Sequence, residues 1–256
     1  MLLKTVKNTV LPLSLVGMMF GAQGTLAYQA GDIIVRGGVA VVDPNESSSP
    51  VVIDTLGLGA TTTTVGVGSD TQLGLTLSYM LSDHVSVELL ASTPFTHDIY
   101  ANGGATLAEA TQLPPTLSWN YYFNDSQANF QPYIGAGINY TIFFDESVNS
   151  NLNDATLSAL VEQATGGALA GAISNSSGTS IDLENSLGLA IQFGFDYGLT
   201  ENIALNVAYW RINLDTEAEI TTTADVASVG TAVPITTHVD VDIDPSVYMV
   251  GVSYKF

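Results

Sequence analysis

The chain predicts an all-β fold: an eight-stranded antiparallel transmembrane β-barrel with short periplasmic turns, long extracellular loops and a short helix in the third loop. Three observations carry this. Tyr248, Val250, Val252, Tyr254 and Phe256 are apolar at every second position and end on an aromatic last residue, as the closing strand of a barrel does and as its assembly signal requires. Seven earlier segments show strand-like patterning. The connections between them alternate between short and long, which is how barrel strands are joined across an outer membrane.

Residues 1–27 read as a secretory signal. Lys4 and Lys7 make a basic start, residues 10–20 are mostly apolar although Pro12 and Ser14 interrupt them, and Thr25-Leu26-Ala27 places small residues at a cleavage point. The mature chain, residues 28–256, then begins at Tyr28 and forms the barrel. The alternative is a buried N-terminal helix. No later stretch is long and apolar enough for a membrane helix of about 20 residues, which leaves strands of about 9–11 residues as the means of crossing. The chain has no cysteine, hence neither disulfides nor a thiolate metal site.

The first strand falls near residues 32–43. In the second, residues 72–81, Leu73, Leu75, Leu77, Tyr79 and Leu81 share one face. The third, 85–95, sets Val85, Val87 and Leu89 against Ser86, Glu88 and Leu90. The fourth, 112–123, sets Leu117, Trp119, Tyr121 and Phe123 against Thr116, Ser118, Asn120 and Tyr122. The fifth, 130–144, carries Ile134, Ala136, Ile138, Tyr140 and Ile142 on one face. The sixth, 186–199, alternates most regularly, from Leu187 through Phe193 to Leu199. The seventh, 203–215, loses clear parity at Trp210-Arg211-Ile212, where a bulge is expected. The eighth spans 239–256. Turns at 82–84, 124–129 and 200–202 are short; connections at 44–70, 96–111, 145–185 and 216–238 are long. Three short and four long connections require eight strands with both ends on the periplasmic side. In the third long loop, Asn153-Asp154 provides an N-cap for Leu157, Leu160, Val161 and Ala164 at helical spacing, and Gly166-Gly167 ends the turn. That helix is either a surface element resting on the rim or a lid or lipid-contacting element.

Charge excludes one large class of function. Beyond residue 27 only Arg36, Arg211 and Lys255 stand against all 25 acidic residues, a net charge of −22. No basic patch exists to neutralise phosphates, so nucleic acid is not a partner.

The fragments then point to a family. Gly31-Asp32 with Arg36, Thr71-Gln72-Leu73-Gly74-Leu75-Thr76, Val87-Glu88-Leu89-Leu90-Ala91, Thr93-Pro94-Phe95 with His97, Leu113-Pro114-Pro115-Thr116-Leu117, the run from Pro132 to Tyr140, Phe143-Phe144-Asp145, Asp244-Pro245 and the Tyr254-Lys255-Phe256 ending occur in this order. Together they resemble the OmpW family of small outer-membrane barrels over essentially the whole mature chain. The resemblance implies an eight-stranded barrel in the outer membrane of a Gram-negative cell, with an apolar inner channel for passive uptake of small hydrophobic compounds and sideways release into the membrane. The chain departs from the family in its acidity and in the insert around residues 155–178. The partners expected are outer-membrane lipid and lipopolysaccharide, small hydrophobic solutes and the barrel-assembly machinery; no cofactor is expected.

Parity places Arg36, Glu88, Asp196 and Lys255 on the lumen side near the periplasmic end. Eight strands leave little more than side-chain room, so these charges form an internal ion-pair plug, the alternative being solvation in a wet lumen. Pro114-Pro115 cannot donate to a ladder. They mark either the start of strand four or a lateral opening just above the plug. Leu90, Tyr122, Phe143 and Trp210 are the expected apolar lining of the outer half. The three histidines, His84, His97 and His238, match neither a hydrolase triad nor a metal spacing, so the chain is not read as an enzyme. Two other readings stand beside the conduit: a receptor-like or structural barrel acting through its loops, and a cation-selective pore.

Overall fold

The computed structural model describes residues 26–101, 104–227 and 229–256. Most of the expected signal segment therefore lies outside the described residues. Eight strands close the barrel: β1 (Ile33–Asp43), β2 (Asp70–Ser82), β3 (Val85–Ser92), β4 (Thr116–Tyr122), β5 (Phe130–Val148), β6 (Ser186–Gly198), β7 (Ile203–Ile212) and β8 (Ser246–Lys255). Each pairs antiparallel with its neighbour in sequence, and β1 pairs with β8 from Ile34↔Lys255 to Asp43↔Ser246, so the ring has no free edge. Closure matters because hydrocarbon offers no partner for an unpaired backbone N–H or C=O.

The pleat then sorts the side chains. Leu73, Leu75, Leu77, Tyr79 and Leu81 on β2, the alternate residues from Leu187 to Phe193 on β6, and Tyr248, Val250, Val252, Tyr254 and Phe256 at the end of the chain are all exposed. So large an apolar belt on the outside of a protein marks contact with lipid. The inward positions of the same strands are small or polar: Thr76 and Ser78 on β2, Ser118 and Asn120 on β4, Ala204 and Asn206 on β7. Close packing takes this to its limit at Gly38 and Gly251, where a Cβ on either would collide with the backbone of the other strand.

The regions expected to be long loops are largely strands. Beyond the lipid belt the chain continues as Phe95–Ala101, Thr106–Leu113, Ile173–Leu183, Asp215–Val226 and Thr231–Asp242. Phe95–Ala101 and Thr106–Leu113 pair with each other, Thr106–Leu113 pairs with the upper half of β5, and the other three form a second sheet. The barrel wall thus rises well above the belt. Asp215–Val226 and Thr231–Asp242 form one long hairpin with acids directly opposed, Asp215 facing Asp242 and Glu217 facing Asp240, all exposed. The expected bulge at Trp210-Arg211-Ile212 is absent. β7 keeps regular register there, Trp210 and Ile212 point in, and the apparent loss of parity arises because the inward face has turned apolar.

The helix α1 (Asp154–Ala164) forms where its cap is placed. The Asn153 side chain accepts from the backbone N–H of Ala155 and Thr156 at 3.0 and 3.3 Å, and Gly166 and Gly167 end the segment at positive φ. Leu157, Leu160 and Val161 pack on Ile53, Ile173, Ala224, Val226 and Ile235 of the extracellular wall.

Two expectations follow. Leu77→Arg, at the middle of the lipid face of β2, lowers folding stability in vesicles by about 2–4 kcal/mol. Thr223→Arg, on the exposed extracellular wall, changes it by less than about 0.5 kcal/mol; a urea titration of both variants checks the pair. The second expectation concerns His238, whose Nδ1 lies 2.7 Å from Asp54 Oδ2 and ties the first loop to the hairpin. The hydrogen bond to Asp54 raises the His238 pKa. That contact is therefore complete below the ordinary histidine range and is lost as pH rises through the raised value. Cleavage of residues 44–69 by a nonspecific protease, taken as the ratio of His238→Gln to wild type, should fall toward one between pH 5.5 and 8.5.

Candidate functional site

Alternation brings one guanidinium and two carboxylates from three strands to a single level inside the barrel. Arg36 Nη1 lies 2.7 Å from Glu88 Oε2, and Nη2 lies 2.7 Å from Asp196 Oδ2. Nε also donates to Asp196 Oδ1 at 3.1 Å, completing a two-pronged pair. All three side chains are essentially inaccessible, with exposures of 0–1 %. One cation faces two anions, so neutral donors supply the balance. Ser78 Oγ donates to Glu88 at 2.6 Å, Gln192 Nε2 to Glu88 Oε1 at 2.9 Å, Asn206 Nδ2 to Asp196 at 3.0 Å, and the Tyr28 hydroxyl to Asp196 at 2.8 Å. Tyr133 lies against the guanidinium, its ring centre 5.4 Å from the Cζ atom of Arg36. Isolated burial of any of these charges would be prohibitive; this many partners make it tolerable.

Lys255 is not among them. It sits opposite Ile34, nearer the periplasmic rim than Arg36, which sits opposite Ser253, and its ammonium donates to the Ala27 carbonyl. Tyr122 also differs from its expected place. It is fully buried, but its hydroxyl accepts from Arg36 Nη2 at 2.9 Å, so it belongs to the polar cluster at the periplasmic end rather than to the apolar outer half. β4 runs toward the periplasm, and Tyr122 is its last residue.

Above the cluster, Gln192 changes the character of the lumen. Its amide donates downward to Glu88, also donates to Asn120 Oδ1 at 2.6 Å, and accepts from the Trp210 indole N–H. Trp210 in turn packs into an apolar cluster with Leu90, Phe95, Ile212, Val247 and Met249, against which Phe143 rests. Higher still is a cavity with about 730 Å³ of atom-free space, counting the part open to solvent. Val67, Ile99, Phe143, Leu183, Ala218 and Val241 are among its walls, and the accessible lining is wholly apolar. A second space of about 830 Å³ shares Val65, Leu107, Leu152, Ile220 and Val239 with the first and reaches Leu157 and Leu160 of α1. Much of this wall comes from strands that were expected to be loops. Their signal was present in Ala218, Ile220, Thr222, Ala224 and Val226, and in Ile235, Thr237, Val239 and Val241, where threonines diluted the period of two.

Pro114 and Pro115 fall between two strands, Thr106–Leu113 and β4. The pairing of β3 with β4 stops at Leu90↔Thr116, and pairing resumes only at Phe95↔Gln112. Three prolines, Pro94, Pro114 and Pro115, lie in this interruption, and none has an N–H to give. On the other side the freed carbonyls are held. Asn139 Nδ2 reaches Pro114 O at 3.2 Å and Pro115 O at 3.3 Å, and the Tyr140 N–H donates to Pro115 O at 3.0 Å. The barrel is therefore firm on the β5 side of the prolines and unlaced on the β3 side. Removing only the cation should be severe: Arg36→Met leaves two buried carboxylates unpaired and should cost about 3–5 kcal/mol in a urea titration. The triple variant Arg36→Met/Glu88→Gln/Asp196→Asn should recover most of that loss.

The chain resembles known proteins over nearly its whole length. A sequence model described as the OmpW family matches residues 29–174 and 166–256. Outer membrane protein W of Vibrio cholerae is 38 % identical over 255 residues, covering 98 % of this chain and all of that one. Outer membrane protein AlkL of Ectopseudomonas oleovorans is 26 % identical over 196 residues, 75 % of this chain and 69 % of the other. The crystal structure of OprG from Pseudomonas aeruginosa superposes with a TM-score of 0.73 at 42 % identity, covering 91 % of this chain and 99 % of that one. An eight-stranded ring with a lipid-facing belt, matched by relatives of full length, leaves one assignment: the chain belongs to the OmpW family and is a β-barrel of the Gram-negative outer membrane.

Proposed function

We propose that this barrel is a passive conduit for small hydrophobic molecules, which enter the apolar upper chamber from outside and leave sideways into the membrane beside Pro114-Pro115. The observation that carries the reading is the stacking order inside one narrow barrel. Two adjoining spaces, one of them wholly apolar in its accessible lining, lie above, a buried ion-pair cluster lies below, and the interruption of the wall lies between them. The lumen is closed toward the periplasm by charges that an apolar molecule cannot replace. The wall is weakest next to Gln112, which lines the cavity two residues before Pro114. Cargo released there enters lipid directly and does not cross the aqueous periplasm as a free solute. The same plug argues against a cation-selective pore. On this reading the partners are the solute, the surrounding lipid and lipopolysaccharide, and the assembly machinery that reads the Tyr248 to Phe256 face.

The test needs a block in the chamber that leaves the barrel intact. Gly137 is unsuitable, because any Cβ there runs into the Leu117 carbonyl oxygen. Ala218, on the extracellular part of the wall, faces the cavity. Ala218→Trp should reduce uptake of a small alkane by whole cells to the rate of cells lacking the protein, with the variant still inserted and heat-modifiable. Equal uptake by wild type, variant and deletion would remove the conduit and favour a receptor or structural role for the extracellular wall.

A further inference from the structure

The chain is strongly acidic, yet one guanidinium is carried on its outer face. On β7, Ile203, Leu205 and Val207 are exposed while Ala204, Asn206 and Ala208 are buried, and Arg211 shares the parity of the exposed set. Tyr209 stands just below it. Its ring stacks on Phe193 with centres 5.3 Å apart and meets Tyr248 at 5.2 Å. Such aromatic collars mark the level at which hydrocarbon gives way to headgroups. β7 rises from the periplasmic turn, so Arg211, two residues or about 7 Å of strand beyond Tyr209, lies at the headgroup level of the outer leaflet. A cleft opens there between β6 and β7, with about 520 Å³ of atom-free space counting the part open to solvent. Leu189 and Ile191 line it together with Arg211, Asn213 and Asp244. Leu189 is 67 % exposed.

The guanidinium is open to a further partner. Its side chain is 36 % exposed, and its one ion-pair partner among the described residues is Asp244 Oδ2 at 3.6 Å, too far for a hydrogen bond. Asp244 is held by other groups: its Oδ1 accepts from Asn213 Nδ2 at 3.0 Å and from the Leu214 N–H at 3.1 Å. The N–H donors of Arg211 are therefore free to serve the headgroup layer, beside an apolar track that leads down β6 into the lipid belt. We infer that this cleft binds a phosphate of an outer-leaflet lipid, the phosphorylated sugar of lipopolysaccharide, with the acyl chains lying over Leu189, Ile191 and Phe193. A guanidinium fork matches phosphate geometry. A free phosphate is the poorer ligand. Asp244, and Asp43 across Ser246 from Arg211, repel it, and only a lipid gains apolar contact in return. This deepens the lipopolysaccharide contact named in the proposed function and rests on that part of it alone; solute passage plays no role in it.

Matched lipids test it. The backbone amide resonances of Arg211 and Asn213 are followed in the full barrel held in phosphatidylcholine nanodiscs, with a chelator present so that no divalent ion bridges the acids. Three probes are added separately: diphosphoryl lipid A, the same lipid A stripped of its phosphates, and inorganic phosphate. Wild type should half-saturate at about tenfold less diphosphoryl lipid A than the stripped form, as charge-assisted hydrogen bonds to one phosphate allow. Arg211→Gln should bring that ratio to about one. Arg211→Lys should keep part of it, because an ammonium retains the charge and loses the fork. Heat-modifiability shows that each variant is folded and inserted, and Arg211, exposed on the rim, is not needed for closure. A ratio near one in wild type, or a tenfold ratio surviving in Arg211→Gln, would overturn the site. Inorganic phosphate moving the same resonances at the concentrations at which the lipid does would make it an anion site and overturn the lipid assignment. Either failure leaves the conduit standing, since alkane uptake reads that separately.

Discussion

Among the described residues Arg36 is the only guanidinium or ammonium buried inside the barrel, and the way its charge is satisfied governs what the rest of the lumen can be. The other basic residues beyond position 27 are elsewhere: Arg211 sits on the outer surface near Asp244, and Lys255 at the periplasmic rim. Glu88 from β3 and Asp196 from β6 close on one guanidinium held by β1, so a single planar group ties together strands that are not neighbours in the ring. A buried ion pair adds little to stability compared with well-packed apolar residues. What this one does is hold paired charges from across the ring at one level of the lumen. On the proposed conduit reading it is the floor that separates the chamber from the periplasm.

The lipid-facing half of the molecule was legible because a membrane enforces strict alternation. From Leu73 to Leu81 or Leu187 to Leu199, each second residue meets hydrocarbon, and no tertiary contact relaxes the rule. Above the belt the rule loosens. Asp215–Val226 and Thr231–Asp242 face water outward and cavity inward. Threonine serves acceptably on both faces, so Thr221, Thr222 and Thr223 hide the period that Ala218 and Ala224 would otherwise reveal. The same loosening made Trp210-Arg211-Ile212 read as a bulge, when its inward face had merely changed from Asn206 and Ala208 to larger apolar groups.

The interior was legible by side but not by height. Parity put Arg36, Glu88 and Asp196 in the lumen, and their closeness follows from strand direction and register together. For Lys255 and Tyr122 the side was right and the height decided the role. Lys255 is two residues closer to the rim than the level of Arg36, and Tyr122 closes the lower end of β4 where a hydroxyl has a cation to meet.

The opposed acids of the extracellular hairpin have a consequence for the medium in which the protein works. Asp215 against Asp242 and Glu217 against Asp240 repel across the ladder, and like charges directly opposite weaken a strand pair. Their apolar neighbours on the cavity side supply the cohesion that holds the hairpin closed. At 0.1 M salt the Debye length is about 10 Å, and it shortens to about 3 Å at 1 M. Dissolved cations therefore form part of the outer wall, and brine is a better solvent for this hairpin than fresh water.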